Sequence, residues 1–213
     1  MNPKDRLRDA RLLLVTDPRV NLTERVATAV QGGGVDVVQL RDKHAPREEL
    51  VSLAKELREV CEEAGALFTV NDDIELARFS GAAGVHLGQE DGPLAPAREM
   101  LGPGAIVGRS AGSPDEASAA VREGADYLGV GTVYATPTKR DGTVSGLDLV
   151  REIARARVPV PWFAIGGITL ATAREVAEAG APGFAVVRAI LDAEDPGAAA
   201  RELRSYLVGD PAR

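Results

Sequence analysis

The chain has 213 residues, 45% hydrophobic and 27% charged, which is material for one sizeable core. A net charge of −7 argues against a broad nucleic-acid surface, so an anionic ligand must be drawn by a local basic cluster. The single cysteine, Cys61, excludes an intrachain disulfide, and no apolar run is long enough to span a bilayer.

Residues 1–6 are polar with no signal-peptide core behind them, which reads as a cytoplasmic protein. Short apolar strand candidates then alternate with amphipathic helical segments. The first strand, 12–15, ends in Thr16, Asp17 and Pro18, and a helix over 23–31 closes on three glycines. The second strand begins at Val37 and runs out into Gln39, Arg41 and Lys43, which share one face of an extended segment because side chains alternate. Its helix spans 46–64, with Pro at the first turn, Glu48 and Glu49 at the positive end, and Gly65 as the stop. Cys61 falls in the apolar stripe of this helix and reads as packing rather than as a nucleophile.

Strand three, 66–70, ends in Asn71, Asp72 and Asp73. After a short helix over 74–79, strand four (84–88) carries His86 inside and Asp91 at its mouth. A helix over 93–100 leads to strand five, 105–108, which ends in Arg109 and Ser110. Ser113 and Pro114 then start another helix. Strand six is 126–131, followed by an irregular stretch, 132–145, and a helix over 147–156. Strand seven, 161–165, closes on Gly166 and Gly167, with Thr169 as the expected cap of a helix over 169–179. Strand eight, 183–187, ends at Arg188, and a last helix covers 196–207.

Eight strand–helix units without a linker predict an α/β fold, a single (β/α)8 TIM barrel: one domain over 1–213, with the barrel proper at about 11–207. An open doubly wound sheet is the weaker reading, since no strand leads into a Gly-x-Gly-x-x-Gly loop. In a barrel every strand end opens on one face, where the active site lies. That mouth collects Gln39, Arg41, Lys43, Asn71, Asp72, His86, Asp91, Ser110, Thr136, Thr138, Lys139, Gly166, Gly167, Val187 and Arg188. Asp72 and Asp91 end adjacent strands and suit Mg2+, which takes one or two carboxylates plus phosphate oxygens, whereas zinc lacks its cysteines or histidine pair. Asp73 reads as a helix cap. Arg41, Lys43 and Lys139 beside that pair favour a diphosphate, and the glycine turn after strand seven suits a second phosphate. His86, flanked by Val85 and Leu87, reads as a hydrogen-bonded interior residue rather than a general base. No Ser/His/Asp arrangement is present, so the sequence points to positioning and electrostatics rather than covalent catalysis.

Val38, Gln39, Leu40, Arg41, Asp42 and Lys43, the run Asn71, Asp72, Asp73, and segments 86–91, 131–140 and 164–168 together resemble the thiamine-phosphate synthase (thiamine-phosphate pyrophosphorylase) family over about residues 12–191. The resemblance implies a transferase of the thiamine-phosphate diphosphorylase type. Such an enzyme condenses 4-amino-2-methyl-5-(diphosphooxymethyl)pyrimidine with 4-methyl-5-(2-phosphoethyl)thiazole, or its carboxylated form, to thiamine phosphate. Pyrophosphate is released, with CO2 from the carboxylated form. It implies one Mg2+ per subunit on Asp72 and Asp91. It also implies a pyrimidine diphosphate site of Gln39, Leu40, Arg41, Asp42, Lys43, Asn71, Ser110 and Lys139, with Arg41, Lys43, Ser110 and Lys139 catalytic. Leu40 and Asp42 face away from Arg41, so they would contribute only backbone. A thiazole phosphate site of Thr136, Pro137, Thr138, Gly167, Val187 and Arg188 completes the set. The chain departs from the family at Arg188, where serine is frequent, and at Gly112, where histidine is common. Expected partners are small phosphorylated substrates, with no nucleic acid and no membrane, and homo-oligomerisation is left open. The alternatives are a thiazole tautomerase-like paralogue, which tends to lack the full diphosphate set, and a non-catalytic regulator that binds thiamine precursors.

Overall fold

Eight parallel strands pair in chain order and close on themselves, β1 to β8. The computed structural model describes residues 2–136 and 144–207. The strands are β1 (Leu12–Val15), β2 (Val37–Leu40), β3 (Leu67–Asn71), β4 (Gly84–Leu87), β5 (Ile106–Ala111), β6 (Tyr127–Val130), β7 (Trp162–Ile165) and β8 (Phe184–Val186). The helices are α1 (Pro3–Arg8), α2 (Leu22–Gly33), α3 (Arg47–Ala64), α4 (Ile74–Ser80), α5 (Ala95–Leu101), α6 (Pro114–Glu123), α7 (Gly146–Ala156), α8 (Ala173–Glu178), α9 (Arg188–Leu191) and α10 (Pro196–Ser205). This is the TIM barrel expected from the alternation of elements.

Each strand is covered on both faces, which is why its sequence is an unbroken apolar run. Neighbouring residues divide between two compartments. Leu13, Val15, Val37, Leu67, Ile106, Tyr127, Phe163 and Ala185 pack inside the barrel. Leu12, Leu14, Val38, Leu40, Phe68, Val70, Val107 and Leu128 pack outward under the helices. A large ring inside needs a small neighbour. A Cβ on Gly108 would lie 2.3 Å from the Tyr127 ring, to which Gly108 is paired in the ladder. Cys61 is fully buried against the outer layer, where burial, then the Glu62 charge, pushes its thiol up to about 12. It is protonated and inert at neutral pH.

Helix α1 was not expected from sequence. It is short, opened by an Asn2 side-chain cap on the Lys4 N–H (3.1 Å), and its one buried residue gives no periodic signal. Leu7 and the following Ala10 seal the floor of the barrel interior, and Lys4 pairs with Asp126 at 2.9 Å. Other boundaries differ too, β5 running on to Ala111 and α5 starting only at Ala95, and two differences lie beside the strand ends. Thr169 does not cap a helix; it sits in a turn with Thr172, and α8 starts only at Ala173. The short α9 begins directly at Arg188.

Candidate active site

The C-terminal ends of the strands surround a cavity of about 530 Å3. From β2 and its extension, Gln39, Arg41 and Lys43 all line it, as the period of two requires. The Arg41 backbone is fixed to the neighbouring unit, its N–H donating to Thr16 Oγ1 at 2.9 Å. Leu40 and Asp42 point elsewhere, so neither side chain reaches the cavity. Leu40 is 2% exposed in the outer layer. Asp42 Oδ1 accepts the N–H groups of His44 (2.9 Å) and Ala45 (3.1 Å), which starts the turn into α3.

Asn71, Asp72, His86, Asp91 and Ser110 form the adjoining wall. Asp72 has φ 63°, unusual for a side-chain-bearing residue. The Asp73 N–H donates to Asn71 O at 2.8 Å across it, a tight turn that places Asp72 at the mouth while Asp73 faces away. Asp73 caps α4 by accepting the Leu76 N–H at 2.7 Å, the role read from the sequence. Asp91 Oδ2 accepts the Gly88 N–H at 2.6 Å.

Asp72 and Asp91 line the mouth together, close enough that each carboxyl shifts the other's pKa, and Lys43 Nζ lies 3.4 Å from Asp72 Oδ2. Burial and the Asp91 charge raise the Asp72 pKa against the pull of Lys43. Burial also pushes Asp91 upward, but the neighbouring Asp72 carboxyl, the Gly88 N–H, Lys43 and Arg109 together outweigh it and hold Asp91 below its ordinary value. Two acids on one wall, each moving the other's pKa, fit a hard divalent cation. Among the described residues no group of three or more His, Cys, Asp or Glu side chains assembles as a metal cage. Asp72 and Asp91 offer oxygen donors of the kind that Mg2+ takes.

Below the mouth lies a polar network inside the barrel. Gln39 Nε2 donates to Tyr127 Oη at 3.3 Å, and the neighbouring Thr69 hydroxyl donates to Val38 O at 3.3 Å. Burial pushes the Tyr127 pKa well above the usual range, so its hydroxyl stays protonated. His86 Nε2 lies 3.0 Å from Ser110 Oγ, and its ring is 5.3 Å from that of Tyr127. His86 supports Ser110 from within the strand layer. Tyr127 and Thr69 were missed in the sequence because each looks like an ordinary strand residue. The available signal was Gly108 and Gly129, small residues leaving room for a ring.

The opposite wall contains Thr136, Gly166, Gly167, Val187 and Arg188. Gly167 has φ 62°, and a Cβ there would lie 2.8 Å from both Ala135 O and Tyr134 Cβ. The turn after β7 is thereby packed against the segment after β6, with the Tyr134 N–H on Gly166 O at 2.9 Å. Arg188 is exposed at the rim. Pro137, Thr138 and Lys139 lie outside the described residues.

Residues 12–190 match the family described as thiamine monophosphate synthase. The chain is 50% identical over 202 residues to a thiamine-phosphate synthase of Synechocystis sp., covering 95% of this chain and 58% of that relative. It is 47% identical over 200 residues to a thiamine-phosphate synthase of Methanocella arvoryzae, covering 92% and 94% of the two chains. It therefore spans little more than half of the first relative and nearly all of the second. A solved thiamine phosphate pyrophosphorylase from Pyrococcus furiosus superposes with a TM-score of 0.85 at 40% identity, over 94% of this chain and 96% of that one. A 3-hexulose-6-phosphate synthase, at 21% identity and TM-score 0.69 over 93% of this chain and all of that one, shares the barrel.

Proposed function

The chain belongs to the thiamine monophosphate synthase family, and on that premise we propose that it joins a hydroxymethylpyrimidine diphosphate to a thiazole phosphate, giving thiamine phosphate and pyrophosphate. One observation carries the reading: a single cavity holds a carboxylate pair, two cations beside it, and a glycine turn with Arg188 across from them. Asp72 and Asp91 would hold Mg2+, which when bound supplies charge neutralisation to the diphosphate. Without it, the charges of Asp72 and Asp91 cancel those of Arg41 and Lys43, and the wall has no net pull on an anion.

Arg41 grips the diphosphate as a fork and Lys43 as a point charge, and both oppose the charge that builds on the leaving group. Lys139, placed here by its sequence motif alone, adds a third cation. Gln39, held by Tyr127, faces the pyrimidine ring from below, and Ser110, held by His86, lines its flank. The C–O bond breaks with its electron pair leaving on pyrophosphate, and the aminopyrimidine delocalises the positive charge left on the methylene. The thiazole nitrogen then forms the C–N bond with its own lone pair. That nitrogen has no proton to lose, so no general base is needed, which suits a site whose histidine is tied to Ser110. Thr136, Gly167, Val187 and Arg188 orient the thiazole phosphate so that the two reacting atoms meet.

No helix among the described residues is long and apolar enough to cross a membrane. The lone buried thiol of Cys61 suits a reducing compartment, and we place the reaction in the cytoplasm. The test is direct. Purified protein is mixed with both phosphorylated substrates and Mg2+, and pyrophosphate and thiamine phosphate are followed together. Their appearance in equal amounts is expected; binding of both substrates without product would refute the synthase reading.

A further inference from the structure

Asp91 lies on an irregular link, residues 88–94, between β4 and α5. Two glycines in this link give it little stiffness of its own. It is fixed instead from outside the barrel. Side chains alternate along β5, so Ser110 faces the cavity and Arg109 faces the outer layer, where it is 7% exposed. Arg109 Nη1 donates to Gly88 O at 2.5 Å, and Nη2 donates to Gly92 O at 2.6 Å and to Glu123 Oε2 at 3.0 Å. Glu123, the last residue of α6, accepts the Leu94 N–H on its other oxygen at 2.8 Å. The same helix supplies Glu116, which bonds the Gln89 side chain and accepts the Gly112 N–H at 2.6 Å.

These bonds bracket Asp91. The Gly88 residue is gripped twice: its carbonyl by Arg109 and its N–H by the Asp91 carboxylate. A buried guanidinium costs several kcal/mol unless its donors are matched, and here its donors serve one short link and the glutamate beside it. We infer that Arg109, seated by Glu123, is a positioning residue that holds Asp91 opposite Asp72 at the proposed divalent-cation position. The inference rests on the reading of the site given above. It assigns work to a residue that never touches substrate, and it explains why an arginine is buried one position before Ser110.

The test measures metal binding directly. Mn2+ is titrated into the full chain with inorganic pyrophosphate present, and free Mn2+ is read by electron paramagnetic resonance. Arg109→Lys keeps the charge and loses the fork. Glu123→Gln is the milder change, since its oxygen can still accept the Leu94 N–H. In both, Mn2+ affinity should fall by about 10–100-fold, the usual consequence of losing a group that orients a metal ligand. The Mg2+ concentration for half-maximal turnover should rise by the same factor, saturating Mg2+ should restore kcat, and KM for the thiazole phosphate should stay unchanged. A merely structural role would lower the melting point without any rescue by metal. Folded variants that bind Mn2+ as tightly as the parent overturn the inference. If the parent makes no thiamine phosphate yet its Mn2+ affinity falls in the variants, the proposed function fails and the positioning role stands.

Discussion

Asp91→Asn separates charge from shape. The amide keeps the size of the carboxylate, and its oxygen can still accept the Gly88 N–H now held at 2.6 Å. It removes one negative charge from a pair whose carboxyls shift each other's pKa. Two unit charges about 4 Å apart repel by about 1 kcal/mol in water and about 4 kcal/mol at an effective dielectric of 20. The pair opens to solvent and Lys43 lies 3.4 Å from Asp72, so the lower figure applies. Relief of that repulsion is worth about 1 kcal/mol, or roughly 2–4 °C in Tm for a chain of this size. The variant also loses the attraction of Lys43 and Arg109 that helps hold Asp91 below its ordinary value, so without metal it should melt within a few degrees of the parent. The pH dependence follows from the raised Asp72 pKa. An acid whose folded pKa exceeds its unfolded value costs stability as pH rises from the unfolded value through the folded one, and removing the Asp91 charge shrinks that loss. The depressed Asp91 pKa works the other way, its contribution being lost as pH falls, and the variant abolishes it. Turnover with saturating Mg2+ should drop by about 10²–10³, or about 2.7–4 kcal/mol. Melts in chelator and pyrophosphate release with metal measure the two effects. A variant that turns over normally with saturating Mg2+, or whose metal-free Tm keeps the parent's dependence on pH in the acid range, would refute the carboxylate-pair argument.

Three further outcomes are expected. Arg188→Ala should raise KM for the thiazole phosphate about tenfold, the loss of one charge-assisted contact, and leave KM for the pyrimidine diphosphate alone; equal effects on both would place Arg188 elsewhere. Tyr127→Phe removes the hydroxyl that Gln39 meets at 3.3 Å, so stability should fall by about 1–2 kcal/mol in urea titrations. KM for the pyrimidine substrate should rise with it, and unchanged rates would mean that Gln39 does not depend on Tyr127. Gly108→Ala would put a methyl 2.3 Å from the Tyr127 ring and 2.6 Å from His86 Nδ1. It should cost about 1–3 kcal/mol by overpacking, and an unaltered urea midpoint would show that the rings can yield.

The period of two carried the sequence reading furthest. It placed Gln39, Arg41 and Lys43 on one face, and all three line the cavity. It also turned the Leu40 and Asp42 side chains away from that face, leaving them only backbone contacts, and those side chains face the outer layer and the α3 turn. Strand count gave the barrel, because alternating elements leave few topologies. What local pattern could not show is anything created by closure. Tyr127 joins Gln39 across 88 positions of sequence, and Arg109 meets Gly88 and Gly92 only once β4 and β5 are adjacent. Thr169 was misread for the converse reason: a threonine before a helical stretch looks like a cap, but the chain makes a turn with Thr172 before the helix starts. Helix α1 has one buried residue in six, so its stability comes from docking on the barrel floor rather than from its own pattern.

That docking covers the end of the interior away from the strand C-termini. With Leu7 and Ala10 packed at that far end, the cavity among the described residues is reached from the strand ends. Gln39 sits at the depth of Thr69, below Arg41 and Lys43, while Arg188 stands at the rim. A molecule reaching Gln39 must arrive before one that occupies the rim, and the later arrival blocks its retreat. The catalytic cycle should therefore be ordered, pyrimidine first. In product-inhibition kinetics, thiamine phosphate or pyrophosphate, whichever departs last, should compete with the pyrimidine substrate and not with the thiazole.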